Sequence, residues 1–477
     1  MEEKPRKRRR EHLTAPAIVL ALVNLVDQID SSIVRGVIPI LEDEWNLSNF
    51  KLGLLGFAFV FVNAIATIPA GWVADRYKRT RIIGWTLASW SVLSLFSAVA
   101  VNYWNLFFAR AIMGIGQSVD DPASSSLLGD YYPPHMRGRV FSLQQVSLFV
   151  GAGLGLGLGG YIGATFGWRW AFALIGMPGS LIAVAVFKLR EPRRGEADNL
   201  EGPFYRAEEE LAEPEEPTAE EQPVEEAEGG ASESPSGLGA FMKEAFKSLV
   251  SEMKMIWRIR TMRYILVGVG TLLFTVSGVA YWLAVYHQRY SGMTLKQATA
   301  VTAGVLGLGG LIGTLWGGSI ADRIYGRGYQ GRITMTASAI MICTALFVVS
   351  YNTPWVPVRI LIQFVGVGII SSAPPALRAS MMDVVPAESR GVSASAFALI
   401  STVCGTAAAP PIVGILADWT SLLGAYYIIA PPIFIGTFIL LKARNTILED
   451  AQAIVRNAMQ ARGIAQPAGA SETPTSS

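Results

Sequence analysis

Charge is scarce in this chain. Of its 477 residues only 16% are Asp, Glu, Lys or Arg, against roughly a quarter in a soluble domain. A fully hydrated globular surface is hard to build at that ratio. Cysteine and histidine are scarcer still. The two cysteines, Cys343 and Cys404, fall in separate apolar stretches, and the three histidines are scattered. That excludes a disulfide framework and a zinc-type cluster, so no metal site is expected. Nothing reads as a phosphate-cradling loop or a nucleophile–base pair, so ATP drive and enzymatic catalysis are not expected. Neither a cofactor nor a nucleic-acid partner is expected. A cleavable leader is not expected either. "KPRKRRR" is a basic start, but the apolar run after it carries charges, is too long and lacks a small-residue cleavage site.

What remains is apolar. Hydrophobic residues make up 51% of the chain, and 48 glycines accompany them, a mixture suited to closely packed membrane helices. Twelve spans are expected, at about 16–41, 51–74, 82–101, 104–129, 139–163, 169–189, 263–289, 296–320, 332–351, 355–381, 391–416 and 423–442. The first is long enough to cross roughly 30 Å of hydrocarbon. Arg and Lys cluster in alternate connections, in "KPRKRRR", "DRYKRTR", "HMRGR", "KLREPRR", "DRIYGRGYQGR" and "KARN". The intervening loops "EDEWNLSNFK", "NYWN" and "YNTPW" are short and poor in basic residues. Basic loops mark the cytoplasmic side, so both termini are expected there, in a multi-pass protein of the cell (inner) membrane.

The halves repeat. "GWVADRYKR" after span 2 is echoed by "GSIADRIYGR" after span 8, with Asp75 and Asp322 separated by 247 positions. Arg110 and Arg359 open spans 4 and 10, 249 apart, and Arg137 and Arg390 open spans 5 and 11, 253 apart. Three matches at one near-constant offset imply an all-α membrane protein of two pseudo-symmetric six-helix bundles. The expected segments are a basic N-terminus at 1–15, a first bundle at 16–190, a linker at 191–237, an amphipathic helix at 238–262, a second bundle at 263–443 and a cytoplasmic tail at 444–477. Residues 196–233 carry fifteen acidic side chains and one Arg, a local charge of −14 that leaves +16 elsewhere. That stretch is too poor in large apolar groups to bury a core and reads as a disordered cytoplasmic linker. After it, Phe241, Ala245, Leu249, Met253 and Ile256 recur at helical spacing with Lys and Arg beside them. This suits a helix lying at the interface or one packed beneath the bundle.

Against this apolar background the charges inside spans stand out. Span 1 holds Asp27, Asp30 and Arg35, and span 4 holds Arg110, Gln117, Asp120 and Asp121. A charge near the bilayer centre costs roughly 3 kcal/mol on insertion scales, so such groups face a protein-lined or watery interior. A charged central cavity is expected, with Asp30 as the proton-carrying carboxylate and Asp27, Asp120 or Asp121 sharing its charge. Fixed ion pairs, Asp30–Arg110 or Asp121–Arg35, are the alternative reading. Span 7 adds Tyr281, Trp282, Tyr286 and His287, and span 10 adds Gln363. Substrate contacts are expected from Arg35, Arg110, Gln117, Tyr281, Tyr286, His287 and Gln363. Span 5, "VGAGLGLGLGGYIG", places Gly151, Gly155 and Gly159 on one flat face that lets another helix approach closely.

The Gly71, Asp75, Arg76, Arg79, Arg81 pattern between spans 2 and 3 resembles the signature of the major facilitator superfamily, with Lys78 where the family has a second glycine. Arg110 with the Gly-rich helix after it, and the glycines of span 5, resemble two further signatures of that superfamily. Within it, Asn24, Asp30, the Gly36–Pro39 pair, "KLGLL", "DRYKR" and the Arg110–Gly116 pattern look most like the Spinster group. Ser31 and Gln117 depart from that group, which usually has Arg and Glu there. The resemblance implies alternating access. It also implies a cytoplasmic gate made by Gly71, Asp75, Arg76, Arg79, Asp322, Arg323, Arg137 and Arg390. The expected function is proton-coupled secondary transport of an amphiphile or lysophospholipid by a monomer in the bilayer. The alternatives are a proton-coupled symporter of a small organic anion, a drug or metabolite efflux antiporter, and a sensor built on a transporter scaffold.

One outcome follows from composition alone. Replacing residues 196–234 by a neutral spacer of equal reach should leave the unfolding temperature of the purified protein unchanged. A marked drop would mean that the acidic stretch is packed.

Overall fold

The computed structural model describes residues 5–194, 196–197, 257–325, 328–385 and 398–461, with isolated helical positions at 243, 247, 250, 251 and 254. Most of the expected linker, most of the amphipathic stretch and residues 462–477 lie outside the described residues. Regular structure among the described residues is helical. In chain order the helices are α1 (Pro5–Trp45), α2 (Asn49–Arg76), α3 (Arg79–Ala98), α4 (Tyr103–Gln117), α5 (Asp120–Tyr131), α6 (Pro134–Phe166) and α7 (Trp168–Phe187). They continue with α8 (Arg260–Tyr290), α9 (Leu295–Ala303), α10 (Gly309–Tyr325), α11 (Tyr329–Asn352), α12 (Val356–Ser371), α13 (Ala373–Asp383), α14 (Ala409–Trp419) and α15 (Leu422–Ala461). Five-residue and seven-residue π-helical segments, Gly304–Leu308 and Ser401–Ala407, precede α10 and α14.

Short polar residues start these helices. Ser48 accepts from the Lys51 N–H, Asn102 from the Asn105 N–H, and Thr294 forms a capping box with Gln297. Gly167 joins α6 to α7 at φ 92°, a conformation that favours glycine. Ten of the helical segments are long and apolar enough to cross a membrane. The two expected spans outside that set are α3 and the α4–α5 pair. Arginines open α3, and span 4 is broken at Ser118–Val119. Span 12 runs on past its expected end, unbroken to Ala461.

Contacts divide the chain into two compact units. Unit 1 comprises Met1–Lys247 and Tyr281–Leu308, and unit 2 comprises Ser248–Ala280 and Gly309–Ser477. The hairpin from the end of α8 through α9 therefore groups with the first half of the sequence. The core of unit 1 lies among α1, α3, α4, α5 and α7, where Leu20, Val26, Leu87, Trp90, Met113, Leu127 and Val186 are buried together. In unit 2, α11 packs on α12 and α15, and the rings of Tyr351 and Tyr426 stack 4.9 Å apart.

The flat glycine face of α6 meets α1. A side chain added at Gly151 would meet the Leu25 carbonyl, at Gly155 that of Ile29 and at Gly159 that of Ile33. The pairing climbs in step along both helices, so they run parallel in close backbone contact. From the other side, a Cβ at Gly36 would lie 2.5 Å from the Leu156 carbonyl oxygen. Gly155→Val should therefore force α1 and α6 apart and destabilise the purified protein by roughly 1–3 kcal/mol, read as a lower unfolding temperature. Gly157→Ala, whose new methyl meets only Ala303 at an ordinary 3.5 Å, should be tolerated.

Candidate functional site

Helix α1 carries a polar stripe. Asn24, Asp27, Gln28, Ser31 and Arg35 recur at helical spacing and are all half-buried. Asp30 is not part of it. It lies about 120° around the helix axis from the stripe and is 0% exposed. There its Oδ1 accepts from the Ser94 hydroxyl at 2.7 Å and its Oδ2 from Arg110 Nη1 at 3.0 Å. Arg110 is 1% exposed, and its guanidinium carbon sits 4.3 Å from the centre of the Phe172 ring. The pair ties α1 to α3, α4 and α7. Both Asp30 oxygens are occupied by donors, and the Asp30–Arg110 ion pair that the sequence offered as its alternative reading is present.

Span 4 breaks beside its own carboxylates. Pro122 has no N–H to give the Ser118 carbonyl, and the helix restarts at Asp120. The break places Asp120 and Asp121 in the first turn of α5, where the helix dipole favours negative charge. Asp120 is 8% exposed, whereas Asp121 is exposed. Between the helices the Ser31 hydroxyl donates to Gln117 Oε1 at 3.4 Å. Span 1 and span 4 are antiparallel, so one turn back on α1 and one turn on in span 4 brings Asp27 level with Asp120. The two carboxylates act on each other electrostatically. Gln28 Nε2 donates to Asp27 Oδ2 at 3.0 Å. Oδ1 of Asp27, Oδ1 of Asp120 and Oδ1 of Asn24 are buried and receive no hydrogen bond. Arg35, two turns away along the stripe, has no carboxylate partner among the described residues.

The expected aromatic wall is placed otherwise. Tyr281 donates its hydroxyl to the Leu52 carbonyl at 2.6 Å, and its ring fills the space left by Gly56. Tyr286 stacks on Tyr290, and His287 Nδ1 lies 3.3 Å from the Ser291 hydroxyl. Arg289 pairs with Glu42 and donates to Asn49. Tyr281, Tyr286 and His287 are thus buried where the α8–α9 hairpin closes over the ends of α1 and α2. Gln363 is also buried, donating to Ser350 between α12 and α11 of unit 2. All four of these expected substrate contacts are buried among protein groups in this conformation. Aromatic enrichment at a helix end was the available signal for the hairpin.

The description Major Facilitator Superfamily matches residues 20–404. The chain belongs to the major facilitator superfamily. It is a multi-pass membrane protein with the major facilitator fold. Protein spinster homolog 1 of Mus musculus is 27% identical over 197 residues, 40% of this chain and 37% of that protein. The probable sphingolipid transporter spinster homolog 1 of Arabidopsis thaliana is 23% identical over 350 residues, 68% of this chain and 67% of that protein. A crystal structure of a bacterial homolog to the human lysosomal transporter Spinster, inward-facing and unoccupied, superposes with a TM-score of 0.69. It has 19% identity over 96% of this chain and 99% of that one.

The superfamily's loop motif lies at the basic end of unit 1. Gly71 and Asp75 are in the last turns of α2 and Asp322 in that of α10, but their side chains, with Arg390, lie outside the described residues. Arg76 and Arg323 are exposed. Arg137 donates to the carbonyls of Tyr132 and Gly129, closing the end of α5. Arg79 is buried. It pairs with Asp130, donates from Nε to Glu191 at 2.9 Å, and reaches Ser126 at 2.8 Å and the Pro192 carbonyl at 3.2 Å. Glu191 also caps α3, accepting from the backbone N–H of Arg79 and Thr80 and from the Thr80 hydroxyl. Asp130, Ser126 and Thr80 were not expected from sequence. Asp130 could have been found as an acid at the end of the same span that carries Arg110.

Burial works against charge on Glu191, but the Thr80 N–H, the Arg79 guanidinium and the Thr80 hydroxyl outweigh it and hold the carboxyl below the usual carboxylate range. A depressed value stabilises the fold fully above about pH 4.3, the unfolded-chain value for Glu, and the contribution is lost as pH falls through the lower folded value. Thermal unfolding across that acid window should show a fall in stability that Glu191→Gln, already weakened at neutral pH, shows less.

Proposed function

We propose that the protein is a proton-coupled secondary transporter of an amphiphilic molecule, a lysophospholipid or a chemically similar single-chain lipid. The basic end of unit 1 is taken as cytoplasmic, in the cell (inner) membrane, and the monomer as the working unit. The observation that carries the coupling is the contrast between Asp30, held on both oxygens, and the Asp27–Asp120 pair, level with each other and each with a buried oxygen that receives no hydrogen bond. Two facing carboxylates repel unless one binds a proton, and they titrate as a set. A ligand biases only those states that it binds unequally. A rearrangement of the stripe that parts Asp27 from Asp120 changes their joint proton affinity, which is what coupling requires. Proton release is expected where α1 and α5 separate.

Arg35 is the anchor for the anionic part of the substrate, because no carboxylate among the described residues answers its charge. The names of the spinster relatives support an amphiphile, with the headgroup at the stripe. The hairpin contacts Arg289–Glu42 and Tyr281–Leu52 close the end opposite the basic loops, and they are the contacts to be broken when that end opens. A small organic anion would also satisfy Arg35, so the assay compares a lysophospholipid with a short-chain carboxylate and a phosphate monoester.

In liposomes with an imposed pH gradient, Asp27→Asn and Asp120→Asn should abolish gradient-driven flux while exchange at equal pH persists. Arg35→Gln should weaken binding of the anionic substrate. Asp30→Asn should lower the unfolding temperature, by roughly 3–5 kcal/mol of lost stability, through the charge that it strands on Arg110. Flux that still follows the pH gradient in both Asp27→Asn and Asp120→Asn would remove the proton role from this pair.

A further inference from the structure

We propose that Asn24, Asp27 and Asp120 form a sodium site, in which Na+ competes with the coupling proton. The inference rests on the reading of Asp27 and Asp120 as the ion carriers and adds the identity of a second ion. Oδ1 of each of the three residues is shut off from solvent and receives no hydrogen bond. The three belong to one place. Asn24 and Asp27 are one turn apart on the α1 stripe, and Asp120 stands level with Asp27 across the α1–α5 contact. Asp120 is nine-tenths buried, so its oxygen has no recourse to bulk water.

Donors close by do not answer these oxygens. Gln28 spends its amide on the other oxygen of Asp27. Gln117, one turn from Asp120, leaves Nε2 without an acceptor, so it reaches neither carboxylate. Arg110 gives Nη1 to Asp30, and its Nε and Nη2 reach no acceptor. The ionisable groups that act on Asp27 are Asp120, Asp30 and Asp121, and Asp121 acts on Asp120, so acidic groups dominate the local field. The cluster therefore calls for positive charge from outside the chain.

The neutral member decides which charge. A proton is held by a carboxylate, but an amide oxygen is too weak a base to hold one near neutral pH. An amide oxygen does bind hard cations through its dipole. Two carboxylate oxygens and one amide oxygen form a donor set for an oxygen-seeking ion, not for a thiolate- or imidazole-loving metal. Among the described residues no group of three or more His, Cys, Asp or Glu is placed to hold a metal ion. A caged Ca2+ calls for about six to eight oxygens, more than this set supplies. A monovalent ion is held more loosely, and loose holding is what a transported ion needs in order to leave again.

The test uses the purified full chain. Unfolding temperature is measured while NaCl is exchanged for N-methylglucamine chloride at constant ionic strength, at mildly alkaline and mildly acidic pH, with KCl as the size control. The wild type should gain stability with the logarithm of the sodium concentration at alkaline pH. The gain should be smaller with K+ and absent at acid pH, where the proton wins. Asp27→Asn, Asp120→Asn and Asn24→Leu should each lose it. Binding of radioactive sodium to the wild type, displaced by cold Na+ and by acid, gives the same answer without a variant that must fold. Equal stability in sodium and N-methylglucamine at both pH values, or a sodium gain that survives in all three variants, overturns the site. Either result leaves proton-driven flux, which is measured separately in sodium-free liposomes, to stand or fall by itself.

Discussion

The Asp30–Arg110 pair is the constraint on which the first unit depends. A charged pair removed from water stabilises only when its geometry is good and its spare hydrogen-bonding groups are answered, and loss of one partner leaves a stranded charge worth about 3–5 kcal/mol. Here Ser94 answers the second carboxylate oxygen and the Phe172 ring lies against the guanidinium, whose Nε and Nη2 reach no acceptor. The pair fastens one face of α1 to α3, α4 and α7, while the glycines of α6 fasten another through backbone contact. With two faces fixed, the third is left for the polar stripe. The level match of Ser31 with Gln117, and of Asp27 with Asp120, follows from that fixing.

The two halves of the chain share more than a loop motif, and what they do not share is informative. Span 10 breaks at Ser372, before Pro374 and Pro375, as span 4 breaks before Pro122, and Pro122 and Pro375 are 253 apart, the offset of Arg137 and Arg390. At that offset Asp120 becomes Ala373 and Asp121 becomes Pro374. Arg110 has its counterpart in Arg359, yet Arg359 donates to the Thr353 carbonyl of the loop before its own helix. The break and the arginine are architecture common to both halves. The carboxylates of the break belong to the first half alone.

Much of this was legible in the sequence. The spans, the offset repeat and the close-packing role of Gly151, Gly155 and Gly159 follow from hydropathy and residue size, quantities that one chain carries by itself. The direction faced by each charge does not. Asp27 and Asp30 are three residues apart and would be neighbours on an isolated helix, and only Ser94, Arg110 and Phe172, from three other helices, decide that Asp30 turns away. For the same reason the packing of Tyr281, Tyr286 and His287 is not legible until the hairpin is seen folded onto α1 and α2. The role of Glu191 is not legible in the sequence because its partners, Arg79 and Thr80, are more than a hundred positions distant.

The central claim is a division of labour: Asp30 the structural partner of Arg110, Asp27 and Asp120 the pair proposed to take up the proton. Infrared difference spectroscopy of the purified protein reads it most directly, because a protonated carboxyl has a C=O stretch of its own, distinct from the carboxylate bands. Titrating from alkaline to acid pH should bring up a buried protonated-carboxyl band in the wild type. The account predicts that this band is missing from Asp27→Asn and from Asp120→Asn and is retained in Asp30→Asn. A band lost in Asp30→Asn and retained in the other two would contradict it.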